Sequence, residues 1–88
     1  LNRESLNDMD RNTAFSDLNA IFADVLDLDD VTLTESTTAD DIAEWDSLSH
    51  IRLIVTIERH YGIKFSNAEI EAMKTVHDLV NFILAKVQ

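Results

Sequence analysis

Glu44–Gly62, EWDSLSHIRLIVTIERHYG, carries a strong helical pattern. Leu48, Ile51, Leu53, Ile54, Val55, Ile57 and Tyr61 recur with the period of an α-helix and sweep an arc of about 220°. So wide an apolar face predicts a helix packed on more than one side, the middle member of a small bundle. Ser49, Arg52, Thr56, Arg59 and His60 fill the remaining sector. Glu58 projects into the apolar arc and is expected at its rim, reaching water. Asp46 is a good N-cap, because its carboxylate can accept from first-turn N–H groups that lack intrahelical partners. The helix should run to Tyr61 and stop at Gly62, the only glycine in the chain. Ser47 then stands at the first helical position. An esterified phosphate there would meet unpaired N–H donors and a favourable dipole. Taken locally, an Asp-Ser pair before an apolar helix is usually a cap and nothing more.

Upstream lies a long connection, Asp27 to Trp45, DLDDVTLTESTTADDIAEW, with no sustained period. Leu28, Val31, Leu33 and Ile42 read as anchors, and Trp45 is expected to pack under the serine helix. A connection this long inside a compact domain is uncommon and often functional. Before it, Phe15, Leu18, Ile21, Phe22 and Val25 predict a helix from about Thr13 to Leu26, capped by Thr13 or Ser16, with Asp17, Asn19 and Asp24 outward. Leu1 to Asn12 read as a frayed tail, or at most the start of the first helix, leaving residues 13–88 as the folded domain. Downstream, Ser66-Asn67-Ala68-Glu69 has the form of a capping box and predicts a short helix from about Asn67 to Ala72, with Ile70 inward and Met73 closing it. Thr75-Val76-His77-Asp78 repeats the device and opens a last helix, about Val76 to Lys86. Its inward set is Val76, Leu79, Val80, Phe82, Ile83 and Val87. The fold class is all-α: a small antiparallel four-helix bundle, three helices long and one short, with the long loop between helices 1 and 2.

With 88 residues the chain makes one domain, and 45% hydrophobic residues suffice for a core. There is no cysteine, so thioester chemistry needs a sulfur from outside. A formal charge of −10 argues against nucleic acid and anionic membranes. No apolar run approaches the roughly 18 residues of a membrane span, and the N-terminus lacks the apolar middle of a secretory signal. A cytoplasmic monomer is expected. Asp24, Asp27, Asp29, Asp30, Glu35, Asp40, Asp41, Glu44 and Asp46 all fall between Arg11 and Arg52, a span without Lys or Arg. Together they would steer basic partner surfaces, an effect that salt weakens. A calcium loop counted from Asp27 lacks its glycine and its final glutamate. Ser47, His50 and Asp46 invite a hydrolase reading, which fails for want of a nucleophile elbow and an oxyanion loop. His50 reads as a partly buried rim residue; His60 and His77 are isolated and give no metal-ligand spacing.

Trp45-Asp46-Ser47-Leu48, a helix closing on Ile57-Glu58-Arg59-His60-Tyr61-Gly62-Ile63-Lys64-Phe65, and Thr75-Val76-His77-Asp78-Leu79-Val80-Asn81-Phe82-Ile83 near the end resemble the acyl carrier proteins. The resemblance covers about Thr13 to Val87. It implies that Ser47 carries 4′-phosphopantetheine, donated by coenzyme A through a phosphopantetheinyl transferase that uses Mg²⁺. The chain itself is then neither an enzyme nor a metal binder. Asp46 would cap the helix and touch the transferase or its metal. Leu48, Ile51, Arg52 and Val55 on the helix, with Asp40, Asp41 and Glu44 in the loop, would meet the partners: acyl-activating enzymes, acyltransferases or synthases. In some members the cargo folds back between the helices, which the broad apolar arc would permit. Trp45, Ser49, Arg52, Arg59 and His60 depart from carriers of the fatty-acid-synthesis type, whose serine helix bears an acidic stripe. This chain looks more like discrete carriers of specialised polyketide, peptide or modified-acyl pathways. The expected function is to hold acyl intermediates for fatty acid, polyketide or related biosynthesis. The alternatives are a peptidyl or aminoacyl carrier, and an acidic helical interaction module in which Ser47 is only a cap.

Overall fold

Asp10 opens the first helix, its carboxylate accepting the backbone N–H of Thr13 at 2.8 Å. That helix, α1 (Arg11–Val25), therefore starts ahead of the expected Thr13, and neither Thr13 nor Ser16 is its cap. The computed structural model describes residues 10–87; Arg11 and Asn12 belong to α1, and the expectation of a frayed tail over residues 1–9 lies outside the described residues. Three further helices follow: α2 (Ser47–Tyr61), the short α3 (Asn67–Ala72) and α4 (Val76–Val87). Among the described residues there is no strand, only an isolated bridge between Thr38 and Thr75.

Each boundary has a local cause. Ser66 and Glu69 form the expected reciprocal capping box on α3. At α4, the Asp78 carboxylate accepts the N–H groups of Lys74 and Thr75, while the Thr75 hydroxyl accepts that of Asp78. Gly62 ends α2 in the left-handed region (φ 68, ψ 39), its N–H and that of Ile63 both reaching the Glu58 carbonyl. Nothing lies within 4 Å of where a Cβ would stand on Gly62. Gly62→Ala is therefore expected to lose only the conformational preference, about 1 kcal/mol, read as a lower urea midpoint with unchanged slope.

The core is where α1 packs on both α2 and α4. Leu18 and Phe22 from α1, Leu53, Ile54 and Ile57 from α2, and Val76, Leu79, Val80 and Ile83 from α4 are fully buried. Each such side chain contributes about 1.5–3 kcal/mol on leaving water. Phe82 and Val87 are only partly buried against this cluster, as are Phe15 and Val25.

The serine helix is not apolar-packed all round. Its buried face is Ser49, Leu53, Ile54 and Ile57, whereas Leu48, Ile51 and Val55 are 75%, 49% and 38% exposed. The 220° arc thus divides into a core face and an open row at i, i+3, i+7, because α3 is too short to cover the second flank. Glu58 also differs from expectation. Its side chain is 14% exposed, and it accepts the Phe65 N–H at 2.8 Å, bracing the turn after Gly62.

The loop from Asp27 to Trp45 is pinned from three sides. Leu33 and Trp45 are buried, with Leu28, Val31 and Ile42 packed against the core. Asn19, expected outward, accepts the Leu33 N–H at 3.0 Å. The carbonyls of Glu35 and Thr37 accept the N–H groups of His77 and Val76 at 3.0 and 2.9 Å, completing the first turn of α4. His77 is not isolated: its ring meets the Glu35 carboxylate at 2.7 Å, and Arg11 forks onto the same carboxylate while donating to Asn81. Hydrogen bonds from Arg11, then from His77, hold the Glu35 carboxyl below its ordinary range.

Asp17 also turns to a partner, accepting the Tyr61 hydroxyl at 2.7 Å and so joining α1 to α2, with His60 at 3.6 Å. Burial, then this hydrogen bond, push the Tyr61 phenol above its ordinary value of 10.0. Folded and unfolded chains both keep that proton at neutral pH. Above pH 10 the unfolded chain releases it first, so stability falls as pH climbs. Tyr61→Phe is expected to flatten that fall in urea titrations between about pH 9 and 11.

Candidate functional site

Asp46, in an extended conformation (φ −116, ψ −171), caps α2 by accepting the Ser49 N–H at 2.9 Å. Ser49 answers: its hydroxyl accepts the Asp46 N–H and reaches the Glu44 carbonyl, both at 2.8 Å. Ser49 was expected on the polar surface of the helix; it is 7% exposed and clamps the end of the loop to the first turn. The Ser49 backbone N–H, then its hydroxyl, hold the Asp46 carboxyl below its ordinary value. This clamp fixes the backbone on both sides of Ser47 and leaves the Ser47 side chain exposed.

Around Ser47 two surfaces meet. One is the open apolar row of Leu48, Ile51 and Val55, with the exposed Arg52 beside it. The other is a groove of about 710 Å³ lined by Trp45, Ser47, His50, Ile51, Ile70 and Met73. Trp45 is 4% exposed and meets Phe22 edge-on, with ring centroids 5.0 Å apart. It is the anchor expected beneath the serine helix. Asp40, Asp41 and Glu44 lie exposed on the loop, Asp41 also accepting the Thr38 N–H at 2.9 Å.

His50 bears on the hydrolase reading. Its Nδ1 accepts the Trp45 indole N–H at 3.1 Å and its Nε2 lies 3.3 Å from the Ile70 carbonyl oxygen. Both ring nitrogens are taken by neighbours other than Ser47, so the pair does not form a nucleophile and its base. A buried indole requires a partner for its N–H, and a histidine one turn into the following helix was the available signal for this contact. Among the described residues no three of His, Asp and Glu converge as a metal site needs.

What the arrangement offers is an exposed hydroxyl on a rigid helix start, with open space beside it and an apolar row next to it. A phosphodiester fits that position: the helix end favours negative charge, and Ser47 is exposed. Fold and site together define a small helical domain with an exposed serine at the start of its second helix. Residues 16–83 match the family described as "Phosphopantetheine attachment site", and the chain belongs to that family, among the acyl carrier proteins. It is 34% identical to the acyl carrier protein of Thermosynechococcus vestitus, over 90% of this chain and 98% of that one. It is 27% identical to polyketide-8 synthase acyl carrier protein 2 of Streptomyces avermitilis, over 80% of each. The solution structure of holo acyl carrier protein from Geobacter metallireducens superposes with a TM-score of 0.79 at 45% identity, covering 83% of this chain and 84% of that one. The four-helix fold and the 4′-phosphopantetheine prosthetic group follow from membership.

Proposed function

We propose that Ser47 is the attachment point and that the protein works as a monomeric cytoplasmic carrier without catalytic activity of its own. The observation that carries this reading is the exposed Ser47 at the first position of α2, braced by the Asp46–Ser49 capping box. When bound, the prosthetic group supplies the thiol that this cysteine-free chain lacks, and on it acyl groups are held as thioesters. In loading, the Ser47 Oγ forms the bond to phosphorus and gives up its proton, while the bond to the adenosine bisphosphate of coenzyme A breaks. No side chain here serves as the base for that proton, so the transferase supplies it. Among the described residues no helix is long and apolar enough to cross a membrane.

Partner recognition falls to the apolar row beside Ser47 and to the acidic loop. Leu48, Ile51 and Val55 offer desolvation, and Arg52 sets the charge of the helix at neutral-to-positive. Asp40, Asp41 and Glu44 supply the negative charge from the loop. Partners are then the transferase and the acyl-activating, acyltransferase or synthase enzymes of an acyl or polyketide pathway. The test is an intact mass after incubation with coenzyme A, Mg²⁺ and a broad-specificity transferase, with one phosphopantetheine gained. If the loop carboxylates steer the encounter, transferase KM rises severalfold from low to high ionic strength. A flat response would assign recognition to the apolar row alone.

A further inference from the structure

The contacts of His50 reach further than the exclusion of hydrolysis. An indole N–H can only donate, so Nδ1, which faces it at 3.1 Å, is the bare acceptor nitrogen. The ring proton is therefore on Nε2, directed at the Ile70 carbonyl 3.3 Å away. The imidazole also lies nearly parallel to the indole, at 24° with centroids 6.1 Å apart. One side chain thus ties three elements: the end of the loop, the serine helix and α3. Of these α3 is the least buried, six residues with none fully buried, Ile70 packed partly against the core and Glu69 paired with Lys86 of α4 at 3.0 Å.

The tie crosses the groove beside Ser47. Beneath it are the buried Trp45 and Met73, 4% and 5% exposed, and beneath those the core. A flexible chain hung on Ser47 has two places to lie. It can rest in the groove against Ile51 and Ile70, or pass between α2 and α3 into the core, which requires α3 to move away from His50. The geometry points to His50 as a latch: it holds α3 against α2 and keeps the cargo in the groove, outside the core. This rests on Ser47 as the attachment point. His50 is a positioning residue, setting where cargo lies and hence which cargo an enzyme finds accessible.

The test loads the full chain from coenzyme A and from octanoyl-coenzyme A with the same transferase, for wild type, His50→Ala and His50→Gln. Intact mass first establishes loading. In wild type the octanoyl and unacylated holo forms are expected to unfold within about a degree of each other, since a chain in an open groove buries little. In His50→Ala the octanoyl form is expected to unfold several degrees above its own holo form, the chain having entered the core. His50→Gln, whose amide can accept from the indole and donate to Ile70, is expected to behave as wild type. A variant that merely weakens the fold lowers both forms together and leaves no such difference. In parallel, ring ¹⁵N shifts of His50 and the exchange protection of the Trp45 indole N–H are read in wild type before and after octanoyl loading. Both are expected to be unchanged, with the proton on Nε2. An equal octanoyl-induced rise in wild type and His50→Ala, or loss of indole protection on loading, overturns the latch alone. Absence of any mass gain overturns the Ser47 reading and the latch with it.

Discussion

Ser47→Ala is expected to gain no phosphopantetheine under conditions that convert the wild type, and to keep the fold. On the proposed attachment the loss is all-or-none, because the serine oxygen would be the atom that bonds to phosphorus, and the chain holds no cysteine to substitute. Preservation of the fold follows from the division of labour at the helix start. Asp46 and Ser49 satisfy the first-turn donors and the loop carbonyl, while the Ser47 side chain faces solvent. Alanine is also a better helix former, so the change in stability should stay within about 0.5 kcal/mol. Intact mass and a urea titration of both proteins check the two halves. A modified Ser47→Ala would move the attachment elsewhere, and Ser5, Ser16, Ser36, Ser49 and Ser66 are the other serines to map.

The largest stability effect is expected from Trp45→Ala. The indole is 4% exposed, packs edge-on against Phe22, and donates to His50. Emptying that space costs about 3–5 kcal/mol, a large part of the roughly 5–15 kcal/mol typical of a whole domain. The His50 Nδ1 also loses its donor. Trp45→Phe keeps a ring on Phe22 and removes chiefly the hydrogen bond, about 1 kcal/mol plus any repacking. Far-UV circular dichroism in urea follows both, since neither variant retains a tryptophan. Equal losses in the two would assign the anchor to the hydrogen bond, not to packing.

The readable and unreadable parts of this sequence differ in how far apart the interacting residues lie. The caps of α2, α3 and α4 were legible because Asp46, Ser66 and Thr75 each find their partners within a turn. The core stripe of α1 was legible because periodicity reports burial. Asp17 and Asn19 were misplaced because nothing local marks a polar side chain whose partner lies 44 or 14 residues away. Ser49 and Glu58 were misplaced for a related reason: a helical wheel assigns polar residues to water, but these two turn to backbone groups stranded at the helix ends. Periodicity alone assigns Leu48, Ile51 and Val55 to packing, because a wheel counts apolar residues without knowing how long the neighbouring helix is; only the family resemblance marks them as a contact surface. The serine itself needed the whole pattern around it.

The carbonyls that the loop lends to α4 have a consequence for motion. The amides of Val76 and His77 point at Thr37 and Glu35, so the loop and not the helix governs their access to water. In a deuterium-exchange experiment these two amides should open together with Leu33, whose N–H is held by Asn19, and not with the fraying first turn of an ordinary helix. Loop and last helix thereby form one cooperative unit, and any enzyme that grips the acidic loop also has a hand on the far side of the bundle.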